Sequence, residues 1–323
     1  MVLRKIHSLA KEKLARIAFD EINDERIVKA VKIISEKGIA RPVLIGSSSE
    51  ISKYSNDFGV DLTGFEYHNP SNFPDYNSFA KILFEKRKKK GMTLDSAYRT
   101  IQDKMSLAML LLHDKRIDGI VSGASKPTSE VIRPAIQIVG MEEGISTVSS
   151  YFHMIKGKHH VLFADCAINQ KPNYKQLADI AISTYDSAKQ LGIDPRVAML
   201  SYSTYRSANH PSVQKVIDAT NLVREIRPDI FIDGEIQFDA ATDPVVAKQK
   251  CPQSPLKGNA NVLIFPNLNT GNISYKVART YGGYGAIGPV TQGLRAPVND
   301  LSRGCSVEEV VDLAAITASQ SKR

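Results

Sequence analysis

Short apolar or β-branched runs alternate with amphipathic stretches along the whole 323-residue chain. The runs RIAF (from Arg16), PVLIG (from Pro42), DGIVSG (from Asp118), VLFAD (from Val161), RVAMLSYS (from Arg196), DIFIDG (from Asp229) and NVLIF (from Asn261) read as strands. Between them, Asp24 to Gly38, Tyr174 to Gly192 and Pro211 to Ile226 place apolar residues at helical spacing. Strands alternating with helices of this length predict an α/β architecture, with parallel sheets covered on both faces. VAML and VLIF are apolar at every position, as central parallel strands should be. Around Val139 to His160 the helical pattern gives way to β-rich alternation, and here the chain is expected to cross into a second lobe. Near the C-terminus a polar loop, NDLSRGCS (Asn299 to Ser306), runs straight into the apolar-periodic VEEVVDLAAITAS (Val307 to Ser319).

A chain of 35.5 kDa with 42% hydrophobic and 24% charged residues can bury one large core or two ordinary ones, so about two lobes are expected. The longest apolar runs, Leu107 to Leu112 and Val262 to Pro266, fall short of the roughly 18 to 20 residues of a membrane span. The N-terminal stretch mixes charged and apolar positions and reads as a helix rather than a secretory signal, which makes a cytoplasmic location the expectation. Cys166, Cys251 and Cys305 are far apart and odd in number, which argues for reduced thiols and against a structural zinc site. The net charge of +8 is dispersed except in EKRKKKG (Glu85 to Gly91). That cluster is either a solvated helix end or an attractor of small anions, and no nucleic-acid motif accompanies it.

In parallel sheets, ligands sit beyond the carboxyl ends of the strands, so the loops there carry the candidate chemistry. Three are rich in hydroxyl and amide groups and lead into possible helix starts: Ala124 to Pro134, Ser201 to Pro211 and Pro266 to Asn272. Their candidate substrate contacts are Thr128 and Ser129, Ser203 and Thr204, and Asn269, Thr270 and Asn272. Such loops can hold a phosphate, but Ser, Thr and Asn at helix starts are also ordinary caps. There is no P-loop and no G-x-S-x-G elbow. GYGAIG (Gly283 to Gly288) has dinucleotide-fingerprint spacing in the wrong order, running from a helix-like stretch into a strand-like one. His159 and His160 lie in a strand-like run, point to opposite faces and read as structural. Ser306 and Glu309 form the S-x-x-E of a capping box, and a carboxylate there is held in its ionised form by the helix dipole.

A set of phrases follows in order along nearly the whole chain. They are FEKRKKKGMTL (from Phe84), VSGASKPTSEVIRPAIQIV (from Val121), LFADCAIN (from Leu162), PRVAMLSYST (from Pro195), DGEIQFDAA (from Asp233), NVLIFPNLNTGN (from Asn261) and GPVTQGLRAPVNDLSRGCS (from Gly288). In these the chain resembles the phosphate acetyltransferase (phosphotransacetylase) family over roughly residues 12 to 321. The resemblance implies a two-lobed α/β/α fold of the isocitrate/isopropylmalate dehydrogenase-like type. Residues 1 to 143 with 290 to 323 would form lobe I, 144 to 289 lobe II, and the cleft between them the active site. It further implies a homodimer or higher homo-oligomer that interconverts acetyl phosphate plus coenzyme A with acetyl-coenzyme A plus phosphate, requiring no metal or further cofactor.

The family's Ser-Arg pair falls on Ser302 and Arg303, which would hydrogen-bond the reacting group and stabilise transition-state charge. Arg87 and Arg133 match positions that bind the phosphate-bearing substrates. Where the family has an aspartate as base this chain has Glu309, so that residue is a base, a cap, or both at different stages. Two further departures are Arg206, where relatives carry a small residue, and AFDE (Ala18 to Glu21), which replaces a more usual proline-glutamate. Two alternatives remain: an acetyl-coenzyme A-binding regulatory domain like that of hybrid NADP-malic enzymes, and a phosphate butyryltransferase. Such regulatory domains often lose the Ser-Arg pair, which is present here.

Overall fold

A computed structural model describes residues 2–321. In chain order the strands are β1 Arg16–Phe19, β2 Arg41–Ile45, β3 Glu66–His68, β4 Gly119–Ser122, β5 Ser149–Lys156, β6 His159–Ala164, β7 Val197–Leu200, β8 Ile232–Ile236, β9 Val262–Ile264, β10 Gly285–Gln292 and β11 Val298–Asp300. The chain divides into two compact units: Gly144–Gly293, and Leu3–Glu143 joined by the residues from Leu294 onward.

The unit of Leu3–Glu143 and the residues from Leu294 onward is built on a five-stranded sheet in the order β11-β4-β1-β2-β3. Every pair in it is parallel. Helix Glu25–Glu36 follows β1 because Asp24 caps it, accepting from the Arg26 NH, and because Ile27, Val28, Ala30, Val31 and Ile34 form one buried stripe. The terminal helix Val307–Gln320 packs on this helix and on β1, β4 and β11. A side chain at Gly119 would meet Thr317 Cγ2 at 2.5 Å, so helix and sheet touch where no Cβ intervenes. Asn299 on β11 is buried beneath the same helix, its amide nitrogen donating to Thr317 Oγ1 and Gln320 Oε1, each at 2.8 Å.

The other unit carries a six-stranded sheet in the order β10-β5-β6-β9-β7-β8. Its β6-β9-β7-β8 part is parallel, with the all-apolar β7 and β9 in the interior. The β10-β5-β6 edge is antiparallel, a departure from the all-parallel expectation that follows from the direct turn between β5 and β6. GYGAIG lies largely on β10, clear of any strand-to-helix turn. Helices Tyr174–Gln190, Pro211–Ile226 and Leu268–Thr280 complete the unit, and Tyr275 stacks on Phe152 with ring centroids 3.9 Å apart. His153 on β5 and His160 on β6 face each other at 3.1 Å, and burial holds His153 neutral, its pKa down to about 3.

Candidate active site

Each unit gathers its candidate residues at the carboxyl ends of adjacent parallel strands. In the unit with the five-stranded sheet these are the loops after β4 and β11, whose strands pair directly. Thr128 and Arg133 lie on the short helix Thr128–Pro134, which starts beyond β4 and includes Ser129. Ser302 and Arg303 form the turn after β11, with the Cys305 NH donating to the Ser302 carbonyl at 2.9 Å. The Ser302 Oγ accepts a long 3.4 Å bond from the Gly304 NH. Asn299 and Asp300, expected in this loop, are the last residues of β11 and buried.

The buried Glu21 and the half-buried Arg26, both following β1, build these loops. The carboxylate of Glu21, in the AFDE stretch, accepts from the NH groups of Gly123 and Ala124 at 2.7 Å and of Ser125 at 2.9 Å, and from the Ser125 hydroxyl at 2.6 Å. Four donors on one carboxylate fix the course of the chain after β4. Arg26 then ties the loops together. One Nη donates to the carbonyls of Arg303 and Cys305 at 2.8 and 3.1 Å, and the other to the Ala124 carbonyl at 2.9 Å. Asp24 receives the same guanidinium at 2.6 Å through Nη2, and this bond raises Arg26 above its ordinary range. Holding Arg303 by its carbonyl leaves the Arg303 side chain exposed. No hydrogen bond or ion pair joins the guanidinium of Arg87, Arg133 or Arg303 to a carboxylate among the described residues. Arg87 ends helix Tyr76–Arg87, half-buried, and no hydrogen bond links it to the two loops.

Asp300 sits between the loops. Its Oδ2 accepts from Thr128 Oγ1 at 2.6 Å, while Oδ1 is buried with no hydrogen-bond partner among the described residues. A side chain at Gly123 would lie 2.0 Å from that Oδ1, so only glycine leaves room for the carboxyl. Burial pushes Asp300 up to about 7 despite the Thr128 hydrogen bond, and the charge of Glu21 adds to the rise. In the loop after β4, Lys126 pairs with the buried Asp20; burial works against the lysine's charge, but Asp20 outweighs it and raises Lys126.

Glu309 occupies the third position of helix Val307–Gln320. Ser306 Oγ accepts from its NH at 3.2 Å and the Ser306 NH donates to its Oε2 at 3.1 Å, completing the capping box.

In the Gly144–Gly293 unit, Ser203 and Thr204 follow β7, and Asn269, Thr270 and Asn272 lie in the first turns of helix Leu268–Thr280 after β9. Lys215 joins the two regions, donating to the Pro266 carbonyl at 2.7 Å. The Ser203 hydroxyl donates to the buried Glu235 at 2.8 Å, and Glu235 also accepts the Arg206 NH at 2.6 Å. Arg206 is thereby held at φ 63° with its side chain exposed. Thr204 Oγ1 accepts the Gln237 NH at 3.0 Å, Thr270 Oγ1 donates to the Asn267 carbonyl at 2.8 Å, and Asn272 donates to the Cys166 carbonyl at 3.0 Å. Asn269 is exposed.

Glu21, Arg26, Asp300 and Glu235 escaped the sequence reading as site residues. Glu21 lay in the unusual AFDE stretch, and Asp300 and Glu235 lay within the phrases NDLSRGCS and DGEIQFDAA, whereas Arg26 carried no signal. No group of His, Cys, Asp and Glu side chains among the described residues is arranged to hold a metal ion.

Two α/β units with parallel strands and polar loops at the strand ends define a dehydrogenase-like α/β protein. At the level of fold alone, the chain is similar to a 4-hydroxythreonine-4-phosphate dehydrogenase from Burkholderia phymatum (TM-score 0.55, 14% identity, covering 96% of this chain and 99% of that one). The chain belongs to the phosphate acetyl/butaryl transferase family, which matches residues 1–318. It is 41% identical over 320 residues to the phosphate acetyltransferase of Bacillus subtilis, covering 98% of this chain and 99% of that protein. It is also similar to the crystal structure of a phosphotransacetylase from Streptococcus pyogenes, with a TM-score of 0.93, 40% identity and 98% of each chain covered.

Proposed function

We propose that the protein is a phosphate acetyltransferase, transferring an acetyl group between phosphate and coenzyme A. The coenzyme A thiolate attacks the carbonyl carbon of acetyl phosphate, forming a C–S bond. The C–O bond to phosphorus breaks and phosphate leaves with the electron pair, the thiol proton having passed to a base. Coenzyme A, acetyl phosphate and phosphate are the substrates and products, and no step is routed through a metal or further cofactor. The observation that carries this reading is the full-length likeness to phosphate acetyltransferases combined with the Ser302-Arg303 turn. That turn offers a hydroxyl and a guanidinium without a carboxylate partner at the carboxyl end of a parallel sheet.

In this scheme Ser302 hydrogen-bonds the reacting acyl group and Arg303 stabilises charge as phosphate departs. Arg87, Arg133, Thr128 and Ser129 bind the phosphate-bearing substrate. Ser203, Thr204, Asn269, Thr270 and Asn272 contribute further substrate contacts, and Glu309 combines its cap with the role of base. The protein acts in acetate metabolism, in the cytoplasm, as a homodimer. The dimer is supported by an exposed stripe along helix Leu268–Thr280 and its C-cap, where Ile273, Val277 and the cap residue Tyr281 recur at intervals of four. No helix among the described residues is long and apolar enough to cross a membrane.

The test is thioester formation from acetyl phosphate and coenzyme A by wild type, Arg303→Gln and Glu309→Ala. Wild type should turn over and Arg303→Gln should lose about 99% or more of its rate, the scale seen when one transition-state donor is removed. A Glu309→Ala protein that is folded and fully active would reduce Glu309 to a cap. Acetyl-coenzyme A binding without any turnover in wild type would replace the enzyme reading with that of a ligand-binding domain.

A further inference from the structure

Asp300 combines features that a purely structural carboxylate lacks. It is 1% exposed at the end of β11, two residues before Ser302, and its hydrogen-bond partner is the half-buried hydroxyl of Thr128. Its position is fixed by the Leu301 NH donating to the Ser122 carbonyl at 2.7 Å and by the absence of a side chain at Gly123.

Among the described residues no cation neutralises it. On β4, the paired Ser122 is buried and uncharged. After β1, Glu21 is taken up by the loop NH groups, and Asp20 takes Lys126. At the start of helix Glu25–Glu36, Arg26 is occupied by Asp24 and the carbonyls of Ala124, Arg303 and Cys305.

We propose that Asp300 is a positioning residue that couples anion binding at Thr128 to uptake of a proton. A hydroxyl has one hydrogen to give. When Asp300 is ionised, that hydrogen goes to Oδ2 and Thr128 presents lone pairs outward, which repel a phosphate. When Asp300 is protonated, its own O–H donates to Thr128 Oγ1, and the threonine hydrogen turns outward to the anion. Oδ1 is then a neutral carbonyl oxygen, whose unmet hydrogen bond in a buried place costs less than that of a charged one. An anion at Thr128 also favours the protonated form, so the linkage runs both ways. The burial that lifts Asp300 to about 7 makes both states accessible near neutrality.

This inference rests on Thr128 being a ligand of the phosphate-bearing substrate, and the test separates the two. The KM for acetyl phosphate is measured from about pH 6 to about pH 8.5 in wild type, Asp300→Asn and Thr128→Val. In wild type it should rise about tenfold across this range, the effect of one hydrogen bond to a charged group. In Asp300→Asn, whose amide donates to Thr128 permanently, it should be flat. In Thr128→Val it should be flat and high. In parallel, calorimetry of sulfate binding in two buffers of different ionisation enthalpy counts protons taken up. Sulfate keeps its charge over this range, so proton uptake by wild type that is absent in Asp300→Asn reports Asp300.

A wild-type pH slope retained in Asp300→Asn, together with unchanged proton uptake, overturns the proposal while leaving the enzyme reading intact. Proton uptake through Asp300 in a protein that makes no thioester supports the proposal and removes the enzyme reading. If Asp300→Asn does not fold, Thr128→Val decides: a retained slope overturns the linkage.

Discussion

The Asp300 carboxyl, at the end of β11, and the Glu21 carboxyl, just after β1, are treated oppositely by the fold. Glu21 accepts four hydrogen bonds, whereas Asp300 accepts one and is buried without a counter-charge. A carboxyl with few donors is stabilised in its neutral form, so the folded chain holds a proton that the unfolded chain has already lost. With Asp300 at about 7 against an ordinary 3.8, the cost to stability grows as pH rises through that window and is constant above it. Three pH units correspond to about 4 kcal/mol. Asp300→Asn removes the titration, so its urea midpoint relative to wild type should climb from about pH 4 to about pH 7 and then level off. A difference that does not change with pH would place Asp300 in the ordinary carboxylate range. Asp20 and Lys126 are common to both proteins and cancel in the comparison.

At the scale of elements, the Ser306–Glu309 box was legible because all its information lies within four consecutive residues. Glu309→Ala should lower stability by about 1 kcal/mol, and Glu309→Gln, which still accepts from the Ser306 NH, by less than half of that. Chemical denaturation reads this cap contribution separately from any effect on turnover. The seven apolar strands were legible for the same reason, their content and period being local. β3 and β11 were not. The three residues of β3 are exposed or half-buried at a sheet edge. β11 reads Val-Asn-Asp, and its polar residues are buried only because partners distant in sequence await them, Thr317 and Gln320 for Asn299 and Thr128 for Asp300. The same reason hid Glu21 and Arg26. Each acts on loops some 100 or 280 residues away, adjacent only through the strand order β11-β4-β1. Ser302 and Arg303 stood out in the sequence through their resemblance to a family phrase, while the clamp that holds them did not.

The dimer proposed above would form on helix Leu268–Thr280, which is apolar on two faces. One buries Tyr275 against Phe152 in the core of its unit. The other leaves Ile273 61% and Val277 51% exposed and continues into the C-cap residue Tyr281, 87% exposed. A spacing of four aligns these three side chains along one stripe. Completing the burial of Ile273 and Val277 would contribute on the order of 1 kcal/mol each, so a stripe left in water forgoes a driving force for association. A two-fold dimer places one copy of the stripe against another, because a single self-complementary patch then serves both subunits. Val277 lies at the middle, and Val277→Glu would bring two like charges together across the two-fold axis while leaving the Tyr275 face untouched. Light scattering should then report a dimer for wild type and a monomer for Val277→Glu at micromolar concentration. The melting temperature should depend on protein concentration in wild type alone. A variant that remains dimeric would move the interface away from this helix. A wild-type monomer would show that the stripe is left open for some other partner.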